Sequence, residues 1–255
     1  MLKTKQEVII NMPKFVGFYH IEARVKYALI AVITLLVLTS SVVYVQAAHK
    51  LKPIYQIDTE KKMVALTFDI SWGNTTPMPV IEILEKNNVK CTFFLSGPWV
   101  KQYPEIVQRI KQNGHEIGSH GYRHINLSNL SKNEIKNEIM KAHKNIKEVS
   151  GQEAKLIRTP NGDYNDNVIQ AVHEVNYEAI QWSVDSLDWM NPGVSTIIDR
   201  VTRKAHPGAI ILMHASDTCK QTTEALPTVI KNLQQQGYKF VTVSELLKAD
   251  KAKSK

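Results

Sequence analysis

From residue 64 to residue 243, short apolar runs alternate with amphipathic helical stretches, and this alternation limits the fold more than any other feature of the chain. Strand-like runs rich in Val, Ile, Leu and Phe occupy 64–68, 91–95, 116–119, 156–158, 179–184, 209–213 and 240–243. Between them, 80–86, 105–112, 131–149, 166–175, 196–204 and 224–236 repeat their apolar residues at helical spacing. Alternation of this regularity specifies a parallel sheet with helical crossovers. The expected class is α/β, a distorted (β/α) barrel of about seven parallel strands, with a doubly wound open sheet as the alternative. Local punctuation agrees. Ser131 and Glu134 form an S-x-x-E helix start, and Gly114 and Gly237 stand where helices commonly stop.

A second regularity concerns polar residues. Asp69, His120 with His124, Arg158, Asp185 with Asp188, and His214 each fall at or just past the C-terminal end of an expected strand. In parallel α/β folds that edge carries the active site. An acid ending a buried strand, as in "VALTFDISWG" (64–73), is costly unless paired. Arg158, in "IRTPNG", is its candidate partner and would hold Asp69 ionised as a base. His120 and His124 form an H-x3-H pair, and two neutral imidazoles suit a zinc-like divalent ion. His214 closes the strand "AIILM", and Asp188 or Asp185 in "VDSLDW" could accept its second N–H and raise its pKa, which suits a general acid. Pro160 and Gly162 fix a turn whose backbone N–H groups are placed to face a developing oxyanion.

In order and spacing, "TFDISWG", "SHGYRH", "RTPNG", "DSLDW" and "ILMH" resemble the polysaccharide deacetylase family, the NodB-homology domain of carbohydrate esterase family 4. The resemblance covers residues 62–247, and the wording "FDISWG" is most similar to the sporulation-associated, PdaB-like members. It implies a metal-dependent hydrolase that removes N-acetyl groups from peptidoglycan or a chitin-like wall polysaccharide. Carried over position by position, Asp69 matches the base and Arg158 the residue that orients it. His120 and His124 match ligands of a divalent metal, zinc being the expected ion. His214 matches the acid that protonates the leaving amine, with Asp188 as its tuning partner. Trp189 and Leu212 match the walls around the acetyl methyl, and the backbone N–H of Asn161 matches the oxyanion donor.

Three positions depart from the family pattern. Ile70 stands where a second acid usually ligates the metal, Gly121 where Ser or Thr usually follows the first His, and Asn161 where an aromatic is common. Ser71 and Asn74 are the nearby residues able to offer a substitute oxygen. A site held by two His alone binds its metal more weakly than a His2Asp set. A catalytically silent, glycan-binding homologue is therefore the alternative function.

Outside the repeating region, residues 27–48 carry no charge over about one bilayer span and follow Arg24 and Lys26. They predict an uncleaved membrane anchor with the basic segment 1–26 inside, a cleaved signal peptide being the alternative. Either way an extended linker (49–61), the catalytic domain (62–247) and a polar tail (248–255) are exported. The net charge is +8, of which residues 1–48 hold +3, and the remainder favours anionic surroundings such as wall polymers or lipid headgroups. Nucleic acid is a poor fit, because no basic stripe with interleaved aromatics occurs. Cys91 opens one strand and Cys219 follows the end of another, so the two thiols are expected apart and unpaired.

Overall fold

Two strands that are neighbours in sequence lie at opposite edges of the sheet. The sheet order is β5-β4-β3-β2-β1-β7-β6, with every pairing parallel and a short β8 added beside β1. The strands are β1 (Met63–Ile70), β2 (Thr92–Leu95), β3 (Glu116–Ser119), β4 (Leu156–Ile157), β5 (Glu178–Ala179), β6 (Val184–Asp185), β7 (Ile210–His214) and β8 (Lys239–Phe240). Five backbone steps separate Ala179 from Val184 and reach at most about 18 Å, whereas seven strands laid flat would span about 29 Å. The sheet must therefore curl, and it forms a curled seven-stranded half-barrel. The run expected as one strand over 179–184 is thus two, because residues 180–183 step across from one edge to the other.

The structure is a computed structural model that describes residues 23–37 and 51–251. The chain divides into two units after Lys50. In the first unit, α1 covers residues 23–37. No described helix is long and apolar enough to cross a membrane, and residues 38–48 of the expected span lie outside the described residues.

In the second unit, residues 54–57 fill the seam between the sheet edges. Ile54 accepts from the backbone N–H of Gln181 and donates its own to Ala179, both at 2.8 Å, and Ile57 donates to Gly208 at 2.9 Å. Gly208 is required there: its φ is +79°, and a Cβ would lie 1.8 Å from the carbonyl oxygen of Ile57.

Strand alternation sorts the core into two layers. Val64, Leu66, Phe68 and Ile70 of β1 pack in the larger cluster, which contains the buried residues of the surrounding helices. Ala65 joins Phe94, Leu156 and Ile210 in a smaller cluster inside the curl. Val243 and Leu246 of α9 (Val243–Lys251) join this interior layer.

The helical crossovers are α2 (Pro77–Lys86), α3 (Gly97–Gln102), α4 (Pro104–Gln112), α5 (Lys132–Ser150), α6 (Asp166–Glu174), α7 (Val194–Lys204) and α8 (Thr222–Gln235). Ser131 and Glu134 make the full reciprocal capping box at the start of α5. Two helices depart from expectation. The six-residue α3 is too short to show a period. α9 takes Val243, which β-propensity assigns to a strand. Its start is marked by Thr242 and Glu245, which cap each other reciprocally at 2.9 and 3.2 Å.

Candidate active site

Register decides which side chains meet. Asp69 is level with Phe94 on one neighbouring strand and with His214 on the other. Leu95, Ser119 and Ile157 share a level across β2, β3 and β4, so the residues just past them emerge together. These strand ends border a cavity of about 390 Å³ lined by Asp69, His120, His124, Trp189, Leu212 and His214, among others.

At its base Asp69 is 5% exposed and accepts a hydrogen bond from Nη1 of Arg158 at 2.8 Å on Oδ1. Arg158 is wholly buried, donates also to Thr67 Oγ1 (2.8 Å) and the Gln181 carbonyl (3.2 Å), and lies 4.3 Å over the ring of Phe94. Burial works to raise the pKa of Asp69, but the Arg158 charge and hydrogen bond outweigh it, so the carboxyl titrates below its ordinary value. Asp69 is therefore an ionised carboxylate held in one orientation.

His120 donates from Nδ1 to the Arg158 carbonyl at 2.8 Å, which leaves Nε2 without a proton, 3.7 Å from Asp69 Oδ2. Burial brings its pKa down to about 4, so the ring is neutral. The His124 ring packs edge-on to it at 5.2 Å, and burial also lowers the His124 pKa. One backbone carbonyl thus ties the orientation of the first histidine to the strand that supplies Arg158.

On the opposite wall, Nδ1 of His214 donates to Asp188 Oδ1 and the backbone N–H of His214 to Oδ2, both at 2.7 Å. Thr222 adds a third donor to the same carboxylate at 2.7 Å. Burial opposes protonation of His214, but the hydrogen bond and charge of Asp188 overcome it, and the pKa ends above its ordinary value. Of the two acids weighed as partner, Asp188 takes the role. Asp185 instead accepts the backbone N–H of Leu187 at 2.8 Å.

Leu212 and Trp189 both line the cavity, the first 3% exposed and the second 52% exposed at the rim. Asn161 lines the cavity in the left-handed conformation (φ 60°), its side chain donating to Asn126 Oδ1 at 2.7 Å. Ser71 lines the cavity and shares a hydrogen bond of 2.6 Å with Ser96 Oγ. Asn74 is not among the lining residues; its backbone N–H is held by Asp217 at 3.1 Å. Ile70 is wholly buried in the helix-facing layer and contributes no donor.

Among the described residues, one trio of metal-ligating atoms lies within 4.8 Å of one another: Asp188, His214 and Cys219. Its carboxylate and imidazole are spent on each other, and burial pushes the Cys219 thiol up to about 12, so it keeps its proton. His120 and His124 are the better donors: two neutral imidazoles beside an ionised carboxylate fit a divalent ion in kind, with one ligand charge fewer than a His2Asp set. Both cysteines are free and buried. Sequence reasoning missed Thr67, Trp182 and Thr222, which support Arg158 or Asp188, and Trp72 at the rim. Only Trp72 and Trp182 carried a signal, Trp72 as an aromatic just past the expected strand 64–68 and Trp182 as one within the expected strand 179–184.

The polysaccharide deacetylase family model matches residues 56–180. The chain is similar to a peptidoglycan-N-acetylglucosamine deacetylase of Bacillus cereus, 36% identical over 197 residues that make up 76% of this chain and 92% of that protein. It is also similar to the uncharacterized protein YlxY of Bacillus subtilis, 37% identical over 77% of this chain, and spans 60% of that protein's length. Among solved structures it is similar to wild-type BA3943 of Bacillus anthracis, described as a pseudoenzyme of carbohydrate esterase family 4. That match has 39% identity and a TM-score of 0.73, covering 78% of this chain and 70% of that one. A mutant of BA3943 is described as having restored enzymatic activity.

Proposed function

This chain belongs to the polysaccharide deacetylase family, and on that premise we propose that it removes N-acetyl groups from a cell-wall glycan of peptidoglycan or chitin-like type. The observation that carries the reading is the convergence of an ionised, Arg-held carboxylate and an Asp-held imidazole on one cavity with two neutral histidines. His120 and His124 would hold a divalent ion, zinc by donor type, which would polarise the acetamide carbonyl. Asp69 takes the proton of the attacking water, and Arg158 keeps it ionised between turnovers. His214 then delivers a proton from Nε2 to the departing amine, while Asp188 holds the ring by Nδ1. Leu212 and Trp189 enclose the acetyl methyl, and the Asn161 backbone N–H faces the developing oxyanion. Purified protein should release acetate from N-acetylglucosamine oligomers or peptidoglycan on addition of zinc or cobalt. No release with any divalent ion across several glycans would refute it.

A second reading, a silent wall-glycan-binding homologue, is favoured by the donor-free, buried Ile70 and by the likeness to BA3943. It expects His214→Ala to complement a deletion strain as well as the wild type. The uncharged run 27–48 behind Arg24 and Lys26 supports export, with the domain tethered to the cell membrane and the N-terminus inside. The wording "FDISWG" supports a place among the sporulation-associated, PdaB-like members. Fractionation of sporulating cells with an antibody to the domain would test both, and a cytoplasmic soluble pool would refute export.

A further inference from the structure

Trp72 is an exposed indole that the chemistry above does not use. It is 43% exposed at the cavity rim, on the loop that follows β1. A singly exposed apolar side chain is ordinary on a protein surface, so the exposure alone carries nothing; what sets this indole apart is that it borders the cavity and is fixed there. Its Nε1 donates to Thr218 Oγ1 at 3.1 Å, and its carbonyl accepts the Asp217 N–H at 3.3 Å. The next residues are clamped as well. Asp217 accepts the backbone N–H groups of Asn74, Thr75 and Thr76 at 3.1, 2.9 and 2.8 Å. Trp99 Nε1 donates to the Gly73 carbonyl at 2.7 Å. Gly73 has φ +80°, and a Cβ there would fall 2.1 Å from Asp217 Cγ. The loop therefore presents the indole in a fixed pose, with its ring edge-on to His124 at 5.2 Å and 74°.

Trp189, 52% exposed, is a second indole at the rim of the same cavity. A pre-oriented indole face beside a polar pit is the arrangement that recognises a pyranose, whose C–H face is apolar and whose edge is hydroxylated. Rigid presentation lowers the ordering cost of binding.

We propose that Trp72 is a stacking platform for a sugar ring adjacent to the one whose acetamide enters the cavity, so that it selects polymer over monomer; this rests on the glycan reading above.

The test is calorimetric titration of the purified full chain with N-acetylglucosamine oligomers from dimer to pentamer, in wild type, Trp72→Ala, Trp72→Tyr and Thr218→Val. Trp72→Ala should weaken tetramer binding about tenfold and leave dimer binding within about twofold. Trp72→Tyr should keep most of the affinity. Thr218→Val, which frees the indole without removing it, should fall between, and these two variants carry the test if Trp72→Ala does not fold. Equal affinities in all four proteins, or an equal loss for dimer and tetramer, would overturn the platform while leaving the glycan site standing. Absence of binding by the wild type would remove the glycan reading and the platform together.

Discussion

Asp69→Ala should destabilise the domain through a residue that is not mutated. Arg158 is 0% exposed, and the Asp69 carboxylate at 2.8 Å is its ion-pair partner among the described residues. Its other acceptors, Thr67 Oγ1 and the Gln181 carbonyl, are neutral. Removing the carboxylate leaves a buried guanidinium uncompensated, at a cost of about 3–5 kcal/mol. At about 2–4 °C per kcal/mol for a domain of this size, the melting temperature should fall by about 6–20 °C. Thermal unfolding followed by circular dichroism, with chelator present to keep metal binding out of the comparison, measures it. The double variant Asp69→Ala/Arg158→Met should melt above the single one, since removing both charges removes the orphan. The dependence on pH follows from the lowered Asp69 pKa. The stabilisation is fully present above the unfolded value of about 3.9 and is lost as pH falls through the folded value, so the gap between wild type and variant should close on acidification. A double variant that melts no higher than Asp69→Ala would refute the orphaned-charge argument.

Asp188→Asn should lower the raised His214 pKa, move the alkaline limb of the kcat profile to lower pH, and reduce acetate release by about 10²–10⁴-fold. The stability that His214 contributes is full below about pH 6.5 and lost as pH rises through its folded pKa, which unfolding across pH 6 to 9 will register. Ile70→Asp puts a carboxylate where a 0% exposed side chain packs, so without metal it should cost about 2–5 kcal/mol. Zinc should raise the melting temperature of this variant more than that of the wild type, and an equal rise would show that position 70 does not reach the metal. Gly208→Ala should push the Ile57 carbonyl out of the seam and lower the melting temperature, while Ser131→Ala should cost only about 1 kcal/mol. A Gly208→Ala effect no larger than that of Ser131→Ala would refute the seam contact.

The sequence exposed the barrel because each crossover repeats the same pattern, and it exposed Asp69, His120, His124, Arg158, Asp188 and His214 because polar residues ending apolar strands are costly unless used. Three things were hidden. The break at 180–183 is set by curvature of the whole sheet, which no local window contains. The choice of Asp188 over Asp185 depends on the left-handed turn at Leu187 (φ 56°), which aims one carboxylate at His214 and folds the other onto the backbone. The direction of Ile70 is decided by which face of β1 the helices cover.

The seam filled by residues 54–57 also has a mechanical meaning. Any tension delivered along the chain from upstream of residue 51 arrives first at the hydrogen bonds that join Ile54 to Ala179 and Gln181. The Gln181 carbonyl also receives Arg158 Nη2, one step from Asp69. A pull strong enough to peel the lead-in would therefore loosen the support of Asp69 before it unravelled a helix around the sheet, and single-molecule stretching applied at residue 51 should register that peel as the first yield point of the domain.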